Sequence, residues 1–437
     1  MIETLKAAWR LPDLRKKILF TLFMLIVFRL GSAIPVPGIN TGALGEIASM
    51  DNFNMFTMMD LFSGGAFSQA TIFAMGISPY INSSIIMQLL TVAIPALERL
   101  QKEGEEGRKK IQSITRIVTV ALALIQGIGI YFLLHNFEGS AGIKMLQNDI
   151  NFLDGFIIVA TLTAGTAFVM WIGEQITDKG IGNGISLLIF VGIVASIPSI
   201  IGRVITTFGN AWWYDLVVLV YAVVMVAFVV YFDSSERRIP VQYSKRVVGR
   251  KMYGGQATYI PLKVAMAGVL PIIFAISILS FPTTIIQLTT GQTNVSASEH
   301  PILATIMNLF SSQHWVYCVI YFLLIIAFTY FYTSISFNPI EISNNMKKNG
   351  GFIPGIRPGK PTSDFISKVL ARINLAGALF LGIVAVLPLV IGLISTTFGN
   401  LGLIGGSSIL ILVGVALETV KQIEAQMMMR HYKGFLD

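Results

Sequence analysis

Hydrophobic residues along this chain are gathered into long runs, and most charged residues lie in the stretches between them. A helix needs about 20 apolar residues to cross the hydrocarbon core of a bilayer. Runs of this order predict ten membrane-spanning segments, at residues 18–34, 71–95, 117–134, 152–172, 185–201, 216–232, 264–286, 315–332, 373–394 and 403–417. We expect each to be a helix, because unpaired backbone groups are costly in lipid. Continuous runs also disfavour a β-barrel, whose strands alternate in polarity.

The positions of the cationic residues predict the orientation of these segments. Of the 31 Lys and Arg residues, all but Arg29, Lys144 and Arg203 precede the first segment, follow the last, or lie in even-numbered connections. Connections of this kind face the cytoplasm by the positive-inside rule. We therefore expect both termini to be cytoplasmic. The first apolar run is longer than the apolar core of a signal peptide, so we expect no cleavable signal sequence and a location in a bacterial plasma membrane.

Composition excludes the ordinary water-soluble classes of protein. Hydrophobic residues make up 54% of the 437 residues and charged residues 12%, whereas an ordinary globular domain has roughly 25% charged residues. The single cysteine, Cys318, allows neither an intrachain disulfide nor a Cys-rich metal site. The formal net charge of +8 is concentrated on the predicted cytoplasmic side.

Motifs for catalysis or cofactor binding are incomplete. The histidines lack metal-ligand spacing, and the glycine-rich stretch 355–362 has Pro361 where a phosphate-binding loop needs a hydroxyl residue. We therefore expect no cofactor and no enzymatic activity. Only Arg29 lies clearly inside a span, which argues against an ion-coupled transporter. Because backbone and hydroxyl oxygens can also bind sodium, a small-solute secondary transporter remains the alternative.

Two connections and one external stretch are candidates for function. Connections 233–263 and 337–372 are long and basic, which favours either contact with anionic lipids or docking of an acidic partner. The stretch 50–68 is apolar but too short to span, and predicts either a half-inserted helix or a helix on the membrane surface. Polar Asn82, Ser84 and Gln88 in the second segment indicate a helix that faces protein or a water-filled cavity.

Several of these stretches also resemble one family, in order and over essentially the whole chain. They are NMF at 54–56, FSGGA at 62–66, GISPYI at 76–81, KEGEEGRK at 102–109, GNG at 182–184, RRIPVQYSKR at 237–246, NP at 338–339, FIPGIRPG at 352–359 and GGS at 405–407. The chain resembles the SecY/Sec61-alpha family, whose members are channel subunits of protein translocases.

The resemblance implies an all-α polytopic membrane protein whose ten helices form two inverted five-helix halves, residues 1–205 and 206–437. A short re-entrant plug helix at about 55–67 would block the pore. The plug residues that it assigns are Met55, Phe56, Leu61, Phe62, Gly64, Gly65 and Phe67.

The same resemblance assigns three further groups of residues. A pore ring would consist of Ile81, Ile85, Ile189, Ile273 and Ile411; a lateral gate into lipid would include Ser84, Gln88, Pro271 and Pro282; and partners would dock on Arg246, Arg250 and Arg357. The implied partners are the SecA ATPase or the ribosome, the small membrane subunits SecE and SecG, and membrane lipids. The implied cargo is signal sequences and unfolded secretory proteins.

Overall fold

The computed structural model describes residues 8–39, 60, 63–136, 152–208, 212–243, 246–248, 251–253, 257–290, 301–311, 314–394 and 406–433. These parts of the chain are predominantly helical. Their helices are α1 (Pro12–Gly31), α2 (Ser78–Ala93), α3 (Pro95–Lys102), α4 (Glu105–Asn136), α5 (Phe152–Lys179), α6 (Gly184–Phe208), α7 (Trp212–Asp233), α8 (Leu270–Thr290), α9 (Pro301–Leu309), α10 (Trp315–Ser336), α11 (Pro339–Lys348), α12 (Lys360–Ile394) and α13 (Gly406–Lys433). Their strands are β1 (Glu236–Tyr243), β2 (Arg246–Val248), β3 (Lys251–Tyr253), β4 (Ala257–Lys263) and β5 (Gly351–Phe352).

Each of the ten predicted segments overlaps at least one of these helices. By length and composition, six helical stretches of the described chain can cross a membrane: Glu105–Phe132, Leu153–Lys179, Leu216–Asp233, Trp315–Lys348, Lys360–Ile394 and Gly406–Met428. The bent pair α2–α3 would add a seventh, and the apolar stretches in α6 and α8 are shorter. The protein is therefore a multi-pass helical membrane protein.

The second predicted segment, 71–95, departs from one continuous span. Helix α2 begins only at Ser78, after a turn in which Gly76 has a φ of +54°. Helix α3 begins at Pro95 and is bent by 99° from α2. Between them Ile94 has an extended backbone, which is the conformation that a following proline favours. The prediction was thus too long at its start and missed the bend.

The seventh segment, 264–286, also begins later than predicted. Helix α8 starts at Leu270, after a turn in which Gly268 has a φ of +59°. Pro271 consequently lies in the first helical turn, where a missing N–H interrupts no hydrogen bond. Pro271 therefore removes no internal hydrogen bond from α8. Pro282 does lie inside α8.

The two long basic connections fold together into one small unit. Strands β4, β1 and β5 form an antiparallel sheet in that order, which we call the connection sheet, and Gln242 of β1 pairs with Phe352 of β5. The sheet and the adjoining helices share an apolar core of Ile239, Val241, Leu262, Met346, Ile353 and Ile366. The described parts of the two connections therefore pack together into one folded surface.

Helices of the first five predicted segments contact helices of the last five. Helix α8 packs against α2 and α4, and α13 packs against α6. A single apolar cluster extends through both contacts and contains residues from α1, α2, α5, α6, α7, α8, α10, α12 and α13. This cluster positions the candidate site.

Candidate functional site

All five predicted ring residues belong to that cluster. Ile81 and Ile85 lie one turn apart on α2, and Ile189, Ile273 and Ile411 come from α6, α8 and α13. Each is between 0 and 6% exposed. Branched aliphatic side chains offer an ion no group to replace its hydration shell, and a narrow apolar constriction excludes water. The arrangement can therefore act as a barrier to ions and water.

A tight turn rich in glycine packs beside this cluster. We call residues 63–68 the glycine turn. The backbone carbonyl of Asp60 accepts a hydrogen bond from the N–H of Gly65, and the Asp60 carboxylate accepts one from the N–H of Ser68, each at 2.8 Å. Gly64 and Gly65 have φ values of +69° and +86°. Such values strain residues that have a Cβ, so glycine suits both positions.

The chain after the glycine turn is fixed to the chain that follows α1. Pro35 and Thr71 form an isolated antiparallel bridge, and the N–H of Val36 donates to the Ala70 carbonyl at 2.8 Å. Phe67 is fully buried in a second apolar cluster, which also contains Val36. Of the other predicted plug residues, Met55, Phe56, Leu61 and Phe62 lie outside the described residues.

The predicted lateral gate lies where α8 contacts α2 and α4. Ser84 and Gln88 of α2 are half-buried. Ser83, the residue before Ser84, has a buried side chain, and its hydroxyl donates to the Thr115 carbonyl of α4 at 2.8 Å. Helix α2 is therefore attached to α4 by a side-chain hydrogen bond. Its contact with α8 crosses the predicted gate.

A buried ion pair that the sequence did not reveal connects α4 to α5. Glu174 of α5 is 6% exposed, and its Oε1 atom accepts hydrogen bonds from Arg116 Nε at 2.7 Å and Gln112 Nε2 at 3.1 Å. These partners are 58 and 62 residues away in sequence, so no local pattern links them. The pair fixes the two helices that support α2.

The predicted docking residue Arg357 lies exposed on a glycine-bounded turn between β5 and α12. Gly355 and Gly359 on either side of it have φ values of +82° and +100°. The Thr362 hydroxyl donates to the Arg357 carbonyl at 2.8 Å, and the Ser343 hydroxyl donates to the Gly359 carbonyl at 2.7 Å. Hydrogen bonds to its backbone thus hold the turn, and its guanidinium reaches solvent.

The side chains of the other two predicted docking arginines are not described by the structure. Arg246 opens strand β2, but its side chain lies outside the described residues, as does the whole of Arg250. The structure instead shows an ordered cation that we did not single out, Arg238 of β1. Its guanidinium lies 4.7 Å from the Tyr259 ring centre and pairs with Glu236 at 2.7 Å. The Glu236 hydrogen bond raises the pKa of Arg238, so it remains cationic.

Potential metal ligands are not grouped in the described part of the chain. No three His, Cys, Asp or Glu side chains there are close enough to share a metal ion.

Comparison with protein families and individual proteins gives one consistent result. A family model described as SecY matches residues 71–420. The protein translocase subunit SecY of Streptomyces galbus is 46% identical over 443 residues, which is 100% of both chains. The protein of the same name from Mycobacterium tuberculosis is 46% identical over 444 residues, again 100% of both. The resemblance noted in the sequence is confirmed.

Solved structures with similar folds are distant in sequence. One described as the structure of a protein conducting channel has a TM-score of 0.64 at 16% identity, covering 94% of this chain and 92% of its own. A second, on the SecY plug domain that stabilises the closed state and maintains a membrane seal, has a TM-score of 0.60 with the same identity and coverage. A third, Sec61 in the canine ribosome–channel complex, has a TM-score of 0.57 at 15% identity and the same coverage.

Proposed function

Because the chain belongs to the SecY family, we propose that it is the protein-conducting channel of a translocase. It passes unfolded secretory polypeptides across a membrane and releases apolar segments sideways into the lipid. The observation that supports this proposal is that Ile81, Ile85, Ile189, Ile273 and Ile411, from helices of both predicted halves, belong to one buried cluster. We take residues 1–205 and 206–437 as these halves.

In the proposed mechanism, the ring forms a flexible apolar collar. Aliphatic side chains can move aside for an extended polypeptide and close around it, because they contact it without fixed hydrogen bonds. Ions meet no polar ligand at the same point and stay hydrated. The channel can thus pass a large chain while it remains resistant to small ions.

The glycine turn is the described end of the proposed plug, residues 55–67. Its support is the burial of Ala66 in the ring cluster and of Phe67 beside it. A plug that maintains a membrane seal is the subject of one similar structure. In the resting channel the plug would close the pore on one side of the ring.

The proposed lateral gate separates α2 and α4 from α8 and α10. Opening it requires α8 to leave α2, and Pro282 removes an internal hydrogen bond from α8 at a point where the helix can bend. Ser84 and Gln88 would then line the opening. An apolar signal sequence entering there would move into lipid because burial of its side chains is favourable.

The connection sheet and the turn that carries Arg357 form the proposed docking surface. Its expected partners are the ribosome, which a similar channel binds, and the SecA ATPase, which would supply the energy for transport. An arginine suits such partners because its guanidinium binds carboxylates and phosphates at two points. We further propose SecE and SecG as small membrane subunits, cytoplasmic termini and a bacterial plasma membrane. The channel itself is assigned no catalytic residue.

Transport into proteoliposomes tests the proposal. Vesicles containing this chain with its small partner receive the ATPase, ATP and an unfolded precursor, and protease-protected precursor is measured. We expect ATP-dependent protection that Arg357→Glu abolishes and Lys368→Glu, a charge-matched exposed site on α12, preserves. Absence of protection with the ATPase bound would instead favour the small-solute transporter.

A further inference from the structure

The guanidinium of Arg29 contacts the glycine turn from the last turn of α1. Its Nη1 atom donates a 2.7 Å hydrogen bond to the backbone carbonyl of Gly64. A cation inside a membrane segment is unfavourable unless it finds acceptors within the protein or reaches water. The C-terminal end of a helix also favours a positive charge because of the helix dipole. Arg29 is therefore stable at this position in contact with the turn.

Gly64 fits closely between Arg29 and α6. A Cβ atom added at Gly64 would lie 3.1 Å from Arg29 Nη1 and 3.1 Å from the Cα atom of Gly192. Gly192 belongs to α6 and follows the ring residue Ile189 by three positions, about one helical turn. The turn thus rests directly on the helix that carries part of the ring.

The same turn also contacts the approach to α2. A Cβ atom at Gly76 would lie 3.3 Å from Ser63 Cβ, and Ile81 follows Gly76 by less than two helical turns. Ser63 itself is fully buried. The turn therefore lies against the entry to one ring helix and the side of another, with Arg29 holding it from α1.

The Arg29 contact is strong while it exists and can be released. Gly64 is buried, so its carbonyl must find another donor or move into water if the guanidinium is removed. The Arg29 side chain is exposed, so it is not enclosed by protein and can separate from the turn when the turn moves. A hydrogen bond between a buried carbonyl and an accessible cation is suited to reversible closure.

From these contacts we infer that Arg29 is a positioning residue for the seal. It holds the glycine turn against α6 beside the pore ring, and the plug leaves when a translocating chain displaces the turn from this cation. The inference rests on the proposed function, because it takes the glycine turn to be the base of the plug.

Ion leakage through resting channels is the first test. Proteoliposomes containing Arg29→Met, which keeps side-chain length and loses the donor, are compared with wild type. Because a hydrogen bond to a charged group is lost, we expect leakage to rise roughly tenfold. Arg29→Lys restores a cationic donor and should leak less than Arg29→Met. Arg15→Met removes a charge from the other end of α1 and should match wild type. Equal leakage from Arg29→Met and wild type would overturn the inference.

Thiol labelling separates positioning of the turn from a general loss of structure. In a Ser63→Cys variant, the new cysteine is labelled slowly by a water-soluble maleimide because Ser63 is buried. Adding Arg29→Met should speed that labelling roughly tenfold, by the same loss of a charge-assisted hydrogen bond. The native Cys318 of α10, also buried, should keep its slow rate. Faster labelling at both sites would show a loosened fold and contradict a specific role for Arg29.

Replacement of the plug distinguishes failure of this inference from failure of the proposed function. If a glycine linker in place of residues 55–67 leaks while Arg29→Met does not, the plug assignment stands and the role of Arg29 is wrong. If neither leaks, the plug assignment is wrong. Ser63→Cys labelling then still decides whether Arg29 holds the turn.

Discussion

At the scale of single residues, the barrier depends on side chains that are apolar and branched. Ile411 is fully buried and lies in the same cluster as Ile81 and Ile85 of α2. A polar group at this point would provide a hydrogen-bonding site for water in an otherwise apolar constriction. It would also weaken the packing that keeps the proposed ring closed. A signal sequence that binds less well could then open the channel.

We therefore expect Ile411→Asn to admit precursors whose signal sequences are defective. The measurement is export of a precursor with a charged residue in its signal sequence, relative to the intact precursor. Ile411→Val keeps an apolar branched side chain and should discriminate as strongly as wild type. Normal discrimination by Ile411→Asn would place Ile411 outside the ring.

The ion pair of Glu174 and Arg116 should respond unequally to loss of each partner. Arg116 is 44% exposed and Glu174 7%, so water can solvate the arginine alone but not the carboxylate. Arg116→Met leaves a buried charge and should destabilise the fold by about 1–3 kcal/mol, less than for a fully buried pair. Glu174→Gln should cost less. The measurement is the thermal unfolding midpoint in detergent, and the reverse order would contradict the described burial.

At the scale of elements, the sequence predicted the helices well and their assembly poorly. The apolar runs located a helix in every predicted segment, because the hydrophobicity of a stretch decides whether it enters the membrane. The bend at Ile94 and the late start of α8 were missed, although Pro95 and Gly268 were visible signals. The connection sheet could not be predicted, because it joins Gln242 to Phe352 across more than a hundred residues.

The plug is an element whose removal should affect the closed state first. Replacing residues 55–67 with a short glycine linker removes the apolar side chains that would fill the pore, while the bridge between Pro35 and Thr71 remains. We expect a raised resting ion conductance in a chain that still folds, with a lower unfolding midpoint because the buried side chain of Phe67 is lost. Unchanged conductance in planar bilayers would speak against this assignment of the plug.

The connection sheet should be needed for docking as a folded unit, beyond the charge of Arg357. Ile353 is buried in its core, and Ile353→Asp would place a carboxylate among apolar side chains, which is costly. We expect binding of the ATPase or ribosome to be lost while resting conductance stays normal. Ile340→Asp, at an exposed position of α11, is the matched control. Retained binding by Ile353→Asp would show that the sheet core is dispensable.

At the scale of the whole molecule, the two predicted halves meet where α6 contacts α7 and α13 and where α8 contacts α2 and α4. The individual ring isoleucines could not be distinguished in sequence from ordinary packing residues, because an isoleucine in a membrane helix has many possible neighbours. Their assignment came from the family resemblance. The structure adds that all five share one cluster, and that Arg29, which the sequence showed only as an unusual cation, contacts the glycine turn.

The most direct test of the central claim is to ask whether a translocating polypeptide touches the ring. In a Cys318→Ala background, single cysteines replace Ile85, Ile273 and, as a lipid-exposed control on α7, Val223. A precursor with one cysteine is arrested during ATP-driven transport, and disulfide formation is measured. We predict cross-links from Ile85→Cys and Ile273→Cys and none from Val223→Cys. An arrested precursor that cross-links to neither ring position would contradict passage through this channel.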